Sequence, residues 1–220
     1  MSVDAPSVSS RRLISRRLRG AAMCTAAICA AITALLGARY AGVSSAGRFD
    51  NAIDPRLTSR LGEHHRLIGA VFGIGGPLTV TLLTALLVVT LLVLRRPRFA
   101  LLAALAPPVA SAITEWVLKP LVERDRHGSW SYPSGHTTGI FAVALVVVLL
   151  VFGQTPRLPV AARLVVSAGP LAVATGVALA SIAAGHHYAT DTVGGACVAL
   201  ATVLILSLSV DAAADARASR

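Results

Sequence analysis

Charge is scarce in this chain, and acidic charge is scarcest. Only 14% of its 220 residues are Asp, Glu, Lys or Arg, with 10 acids against 20 bases. Soluble proteins carry roughly 25%. Too few charged side chains remain to coat a single soluble core, while 55% hydrophobic residues exclude intrinsic disorder. Cysteine is sparse as well. Cys24, Cys29 and Cys197 show neither a disulfide framework nor metal-ligand spacing. All three fall in apolar stretches, where they read as small packing residues. Strict polar–apolar alternation is missing too, which argues against a transmembrane β-barrel.

What is present is a series of uncharged apolar runs. They cover residues 20–38, a stretch within 67–94, then 99–118 (with Glu115 near its end), 137–153, 164–184 and 192–210. Each approaches the roughly 20 residues that a helix needs to cross hydrocarbon. Only helices or closed barrels satisfy the backbone there. The sequence therefore predicts an all-α bundle of six transmembrane helices over residues 20–210. A basic cytoplasmic tail, 1–19, precedes it and a short cytoplasmic tail, 211–220, follows. The basic start before an apolar run, with small residues near Ala38, also fits a cleaved signal peptide.

The net charge of +10 has a direction. Arg11, Arg12, Arg16, Arg17 and Arg19 precede the first run and place the N-terminus inside. Six spans then make both termini cytoplasmic. Arg95, Arg96, Arg98, Arg157, Arg163, Arg217 and Arg220 also fall inside, so 12 of the 20 bases lie on that face. The basic excess thus reads as membrane orientation rather than nucleic-acid binding. All six histidines (His64, His65, His127, His136, His186 and His187) and seven of the ten acids fall outside. Titratable groups gathered at one face of a helical bundle suggest a site there.

Three short pieces supply that site with chemistry. The first, Lys119 to Arg126 at the outer end of the third span, holds Lys119, Arg124 and Arg126. Lysine is a point charge, and arginine a planar fork that matches phosphate oxygens. A basic anchor at headgroup level explains the same residues. The second is Pro133-Ser134-Gly135-His136, before the fourth span. Backbone amides of a helix start form an anion cradle there, with His136 in the first turn. A plain helix cap is the simpler alternative. The third is His187-Tyr188-Ala189-Thr190-Asp191. Four residues apart on a helix, Asp191 accepts from one ring nitrogen of His187 and leaves the other to attack. His186, five before Asp191, points elsewhere. Two cations, an amide cradle, a His–Asp pair and a second histidine around one point would suit a phosphoryl group.

The order and spacing of these pieces resemble the phosphatidic acid phosphatase type 2 (PAP2) superfamily. Its signature is Lys-x6-Arg-Pro, then Pro-Ser-Gly-His, then Ser-Arg-x5-His-x3-Asp. Lys119 and Arg126 match the first part, with His127 in place of proline. Pro133 to His136 match the second in full, and His187 and Asp191 match the third. The third part's Ser-Arg falls on Ala180-Ser181, so one phosphate-binding arginine is missing. The resemblance implies a lipid phosphatase with His187 as nucleophile, Asp191 orienting it, and His136 as general acid and base. Lys119, Arg126, Ser134 and Gly135 would bind phosphate; Arg124, to which the resemblance gives no role, is a candidate by its charge and position to stand in for the missing arginine. No metal or other cofactor is implied, since cationic side chains do a metal's work. The expected partners are the membrane and a lipid phosphate, with no nucleic acid. The resemblance places the protein in the plasma membrane with its site facing the extracytoplasmic side. One alternative is a phosphotransferase of the same fold, passing the phosphoryl group to an alcohol; another, kept open by the Ser181 departure, is a catalytically weak or inactive lipid-binding or transport protein.

Smaller features carry expectations too. Residues 40–66 have the composition of an interfacial helix or lid, or equally of a solvated linker. Gly69-x3-Gly73 predicts close helix packing. Gly73-Ile-Gly-Gly-Pro77 predicts a kink rather than a phosphate loop. Gly194 and Gly195 predict tight packing near the site, and Glu115 a pair with Lys119.

Overall fold

A computed structural model describes residues 12–155 and 158–219. The chain is helical almost throughout. Nine helices are described: α1 (Arg19–Tyr40), α2 (Arg48–Leu61), α3 (His65–Ile74), α4 (Pro77–Val93), α5 (Pro97–Ala112), α6 (Lys119–Val122), α7 (Gly135–Gln154), α8 (Val160–Ala183) and α9 (Ala189–Ala218). Five segments are long and apolar enough to cross a membrane: Arg16–Tyr40, Pro97–Val122, Gly135–Gln154, Val160–Ala183 and Ala189–Ala218. The sixth is a bent pair, Arg48–Ile74 with Pro77–Val93, turning through 48°.

The bend sits at the expected place. Pro77 lacks an amide hydrogen and opens α4 at its first position. Gly75 and Gly76 close short turns onto Phe72 and Gly73. A Cβ on Gly75 would lie 2.5 Å from Val177 Cγ1 and 3.1 Å from the His136 carbonyl oxygen, so only glycine fits between α7 and α8. Gly69 and Gly73 differ from expectation. Nothing lies within 4 Å of a Cβ on either, so neither marks a close helix crossing.

Helices α5, α7 and α9 form the centre, with α1 against α9, α4 against α5, and α8 against α7. Leu91, Phe99, Leu102, Ala106, Val146 and Val203 fill the space between them. Large apolar side chains such as Leu35, Leu78, Leu86, Val93 and Val165 point outward. In water such a surface would aggregate; around a membrane bundle it meets lipid. Helix α1 buries Ala22, Ala26, Cys29 and Thr33 and is packed as part of the bundle.

At one end, the chain entering α1 is tucked underneath. Both carboxylate oxygens of buried Asp211 accept backbone N–H bonds, from Leu13 and Ile14, each at 3.0 Å. Asp215 pairs with Arg12 at 2.6 Å and Arg19 at 3.2 Å. The two described ends therefore meet at the same face. Next to the boundary drawn at 19, Leu13 and Ile14 are buried against the bundle while residues 15–18 are exposed, and α9 runs past 211 to Ala218. Arg11, Arg157 and Arg220, expected at the inner face, lie outside the described residues.

Residues 40–66 resolve in favour of a helix. In α2, Asp50 accepts the Gly47 N–H at 2.9 Å and caps the start. Its buried residues, Asp50 and Asp54, are one turn apart and face the bundle.

Gly195 packs as expected. A Cβ there would lie 2.6 Å from the Ser134 carbonyl oxygen, a backbone atom that cannot swing aside. Gly195→Ala is expected to lower stability by about 1–3 kcal/mol through overpacking. Gly69→Ala, in open space, should change it little. Thermal unfolding of both variants in detergent checks the contrast.

Candidate active site

The site is built where the third-span motif, the start of α7 and the start of α9 converge. A π-helical turn, Ile113–Leu118, follows α5 and shifts the helix phase just before Lys119. Lys119 Nζ then pairs with Glu115 Oε2 at 2.8 Å, the expected partner. Beyond α6, Glu123 adopts a left-handed conformation, φ +51°, and ends the helix. A two-stranded hairpin follows, β1 (Asp125–Arg126) against β2 (Ser129–Trp130).

Ser134 caps α7. Its Oγ accepts from the Thr137 amide at 3.4 Å and the Thr137 hydroxyl at 3.0 Å. Its own N–H donates to the Asp191 carbonyl at 3.0 Å, which ties α7 to α9. Ser134 is fully buried and acts here as a cap. The amides of Gly135 and His136 lead the first turn, where no intrahelical acceptor exists for them. A Cβ on Gly135 would collide with Glu115 Oε1 and approach Lys119 Nζ to 3.9 Å. Glycine thus admits the Glu115 carboxylate, paired with Lys119, beside the helix start.

His187 is held differently from the expectation. Its Nδ1 lies 2.9 Å from the Ser131 carbonyl oxygen. A carbonyl only accepts, so Nδ1 carries the proton and Nε2 is left with its lone pair. Asp191 Oδ2 is 3.8 Å from the same nitrogen, beyond hydrogen-bond range. The tautomer is therefore set by a backbone carbonyl. Asp191 is occupied elsewhere: Oδ2 accepts the Tyr188 N–H at 2.8 Å and caps α9, while Oδ1 accepts from Arg124 Nη1 at 2.6 Å.

Arg124 is likewise not where a phosphate ligand would stand. Arg124, Asp50 and Asp191 are each 0% exposed. The guanidinium donates to Asp191, to Thr190 Oγ1 at 2.6 Å, and through Nη2 to Asp50 Oδ2 at 2.8 Å. It lies between the rings of Tyr40 and Tyr188, 3.9 and 4.1 Å from their centroids. Both Nη groups are engaged by α2 and α9, and Nε is buried with no partner among the described residues, so Arg124 sits as a clasp inside the protein rather than at an open phosphate position. Arg126 keeps more freedom. It pairs with Asp54 Oδ2 at 3.3 Å and lies 4.0 Å over Tyr188, next to His187.

Ser181 supplies no donor to the site either. It is fully buried and its hydroxyl bonds the Val177 carbonyl at 2.8 Å. Its carbonyl accepts the amides of His186 and His187, at 3.0 and 3.3 Å.

The two motif histidines come together. The rings of His136 and His187 have centroids 6.5 Å apart. Phe72, just before the α3–α4 break, stacks on His136 at 4.1 Å and on His186 at 4.7 Å. His186 thus joins the group through Phe72. Partial burial first, then the neighbouring His187, lower its pKa. A cavity of about 520 Å³ opens from this end between α4, α5 and α7. Lys119 with its partner Glu115, Gly135 and His136 line its head, while Val80, Pro107, Pro108 and Gly139, with the hydroxyls of Thr81, Thr84 and Ser111, line the remainder.

Sequence reasoning missed Ser131, Phe72, Asp50 and Asp54 as site-building residues. Only the Asp50/Asp54 spacing of four carried a signal, as one face of a helix. No group of three or more His, Cys, Asp or Glu suited to a metal exists among the described residues.

A bundle of apolar spans, with His136, His186 and His187 gathered at one end, defines a multi-span membrane protein. Residues 73–215 match the PAP2 superfamily, and the chain belongs to it. The match runs from the kink to the last helix and includes all three motifs. Membership makes phosphatase-type chemistry on phosphate esters its class. No curated protein and no solved structure matches the chain.

Proposed function

We propose that the protein is an integral membrane lipid phosphatase that hydrolyses a lipid phosphomonoester or diphosphate through a phosphohistidine. The observation that carries this reading is His187. Its Nδ1 is tied to the Ser131 carbonyl, its Nε2 is free to act, and the His136 ring lies 6.5 Å away.

In the first step Nε2 of His187 attacks phosphorus as the bond to the leaving oxygen breaks. His136, as imidazolium, gives its proton to that oxygen. In the second step neutral His136 takes a proton from water, whose oxygen displaces His187 from phosphorus. Lys119, Arg126 and the first amides of α7 hold the phosphoryl oxygens as charge shifts. Asp191 acts from one turn away, by fixing the start of α9 and adding negative potential near the ring that becomes positive.

The cavity supports an amphiphilic substrate, with phosphate at the Lys119 end and tail along Val80, Pro107 and Gly139. Polyprenyl (di)phosphates, phosphatidic acid and phosphatidylglycerol phosphate share this chemistry. The basic residues of the opposite face favour a site on the extracytoplasmic side of the plasma membrane. A phosphate-release assay across these lipids, beside a short-chain soluble phosphate ester, tests the reading. The lipids should be turned over and the soluble ester poorly; equal rates would contradict a lipid substrate. Lys119→Ala and Arg126→Ala should each lower kcat/KM by on the order of a hundredfold, as loss of a charge-stabilising donor does.

One observation favours a slow enzyme within this reading. Ser181 stands where the family signature has arginine, and its hydroxyl is spent on Val177.

A further inference from the structure

A second cavity, of about 860 Å³, lies at the end of the bundle opposite the histidines. Its rim holds Arg12, Arg16 and Arg163, and no acidic residue is among its described lining. Its wall is apolar, made by Ala22 of α1, Leu149 and Phe152 of α7, and Leu200 and Leu204 of α9. The shape is that of a headgroup site opening onto an acyl groove.

The rim is built rather than draped. Asp211 clamps the backbone of Leu13 and Ile14, and Asp215 holds Arg12 through Nη2. These bonds fix the Arg12–Arg16 segment beneath the bundle. Arg12 Nη1 is out of solvent yet has no hydrogen-bond partner among the described residues. A guanidinium nitrogen left without an acceptor in a basic, apolar-walled slot calls for an anionic oxygen.

We infer that this cavity binds one anionic phospholipid, with its phosphate at Arg12 and Arg16 and an acyl chain along Leu200 and Leu204. Charge complementarity selects the occupant: Arg16 and Arg163, beside an Arg12 whose charge is shared with Asp215, reject a zwitterionic headgroup's ammonium and favour net negative charge. The site lies at the far end of the bundle from His187, so it serves binding and not turnover.

The test uses the full-length protein in neutral detergent, titrated with phosphatidylglycerol or phosphatidylcholine. Phosphatidylglycerol is a phosphodiester, not the monoester proposed as substrate. Thermal unfolding and native mass spectrometry are read together. Phosphatidylglycerol should raise the unfolding midpoint saturably and remain as one bound lipid, because a ligand of the folded state stabilises it. Phosphatidylcholine should do neither. Arg16→Glu alone, at an exposed position, should raise the half-saturating lipid about fivefold or more, the worth of a surface charge near anionic lipid. Arg16→Glu with Arg163→Glu should raise it further. Lys119→Ala should leave the titration unchanged. Equal effects of the two lipids, no saturable shift, or an unaltered Arg16→Glu curve would overturn the inference. So would loss of the shift in Lys119→Ala, which would put the lipid at the histidine end.

Discussion

Arg124→Met is expected to cost about 3–5 kcal/mol of stability, the penalty for removing one partner of a buried ion pair. The reason is what remains behind. Asp50 and Asp191 are both fully buried, and both lose their cation at once. Neither carboxylate has water to turn to. The two ion pairs bridge 74 and 67 residues of sequence, so they join the α2 segment to the start of α9. Arg124→Lys should rescue little, because one ammonium cannot reproduce a fork that reaches Asp50, Asp191 and Thr190 while lying between Tyr40 and Tyr188. Asp50→Asn combined with Arg124→Met should cost less than the sum of the two single changes, since the pair is one unit. Unfolding midpoints of the single and double variants in detergent check this. Strict additivity, or a loss below about 1 kcal/mol for Arg124→Met, would mean the clasp is idle, as many exposed pairs are.

His187→Ala should lower kcat on the order of 10⁴-fold or more, the scale seen when a nucleophile is removed from a unit that acts together. The fold should survive. The ring makes one hydrogen bond, to Ser131, and no ion pair within hydrogen-bond range. The unfolding midpoint should therefore move far less than in Arg124→Met. The two variants separate chemistry from architecture: one kills turnover in a stable protein, the other destabilises the platform. Asp191→Asn belongs with the second group more than a direct His–Asp pair would suggest, because its carboxylate is bonded to Arg124 and the Tyr188 amide.

Much of this was legible in the sequence for one physical reason: hydrocarbon enforces runs of apolar residues. The spans, the break at Gly75–Pro77 and the Glu115–Lys119 pair all follow from local rules of length, proline and helical spacing. The histidine cluster followed from motif order and the side on which loops fall. What was hidden depends on long-range or backbone interactions. The Ser131 carbonyl that sets the His187 tautomer carries no side-chain signature. Phe72 looked like one more apolar residue of a span until the kink brought α3 against α8. Arg124 was read by its charge type, and its carboxylate partners came from a helix that hydropathy left undecided. Spacing put Asp191 on the right face beside His187, but it could not show that Arg124 and the helix cap claim both its oxygens.

The central claim is that His187 carries the phosphoryl group. The most direct test is to mix the purified protein with a lipid phosphate labelled with radioactive phosphorus, quench within milliseconds to seconds, and look for label on the protein. A nitrogen–phosphorus bond is predicted: label that survives base, is released by acid, and maps to the His187 peptide. It should vanish in His187→Ala and accumulate in His136→Ala if water is presented slowly in the second step. Acid-stable label, label on a residue other than His187, or undiminished turnover in His187→Ala would contradict the account.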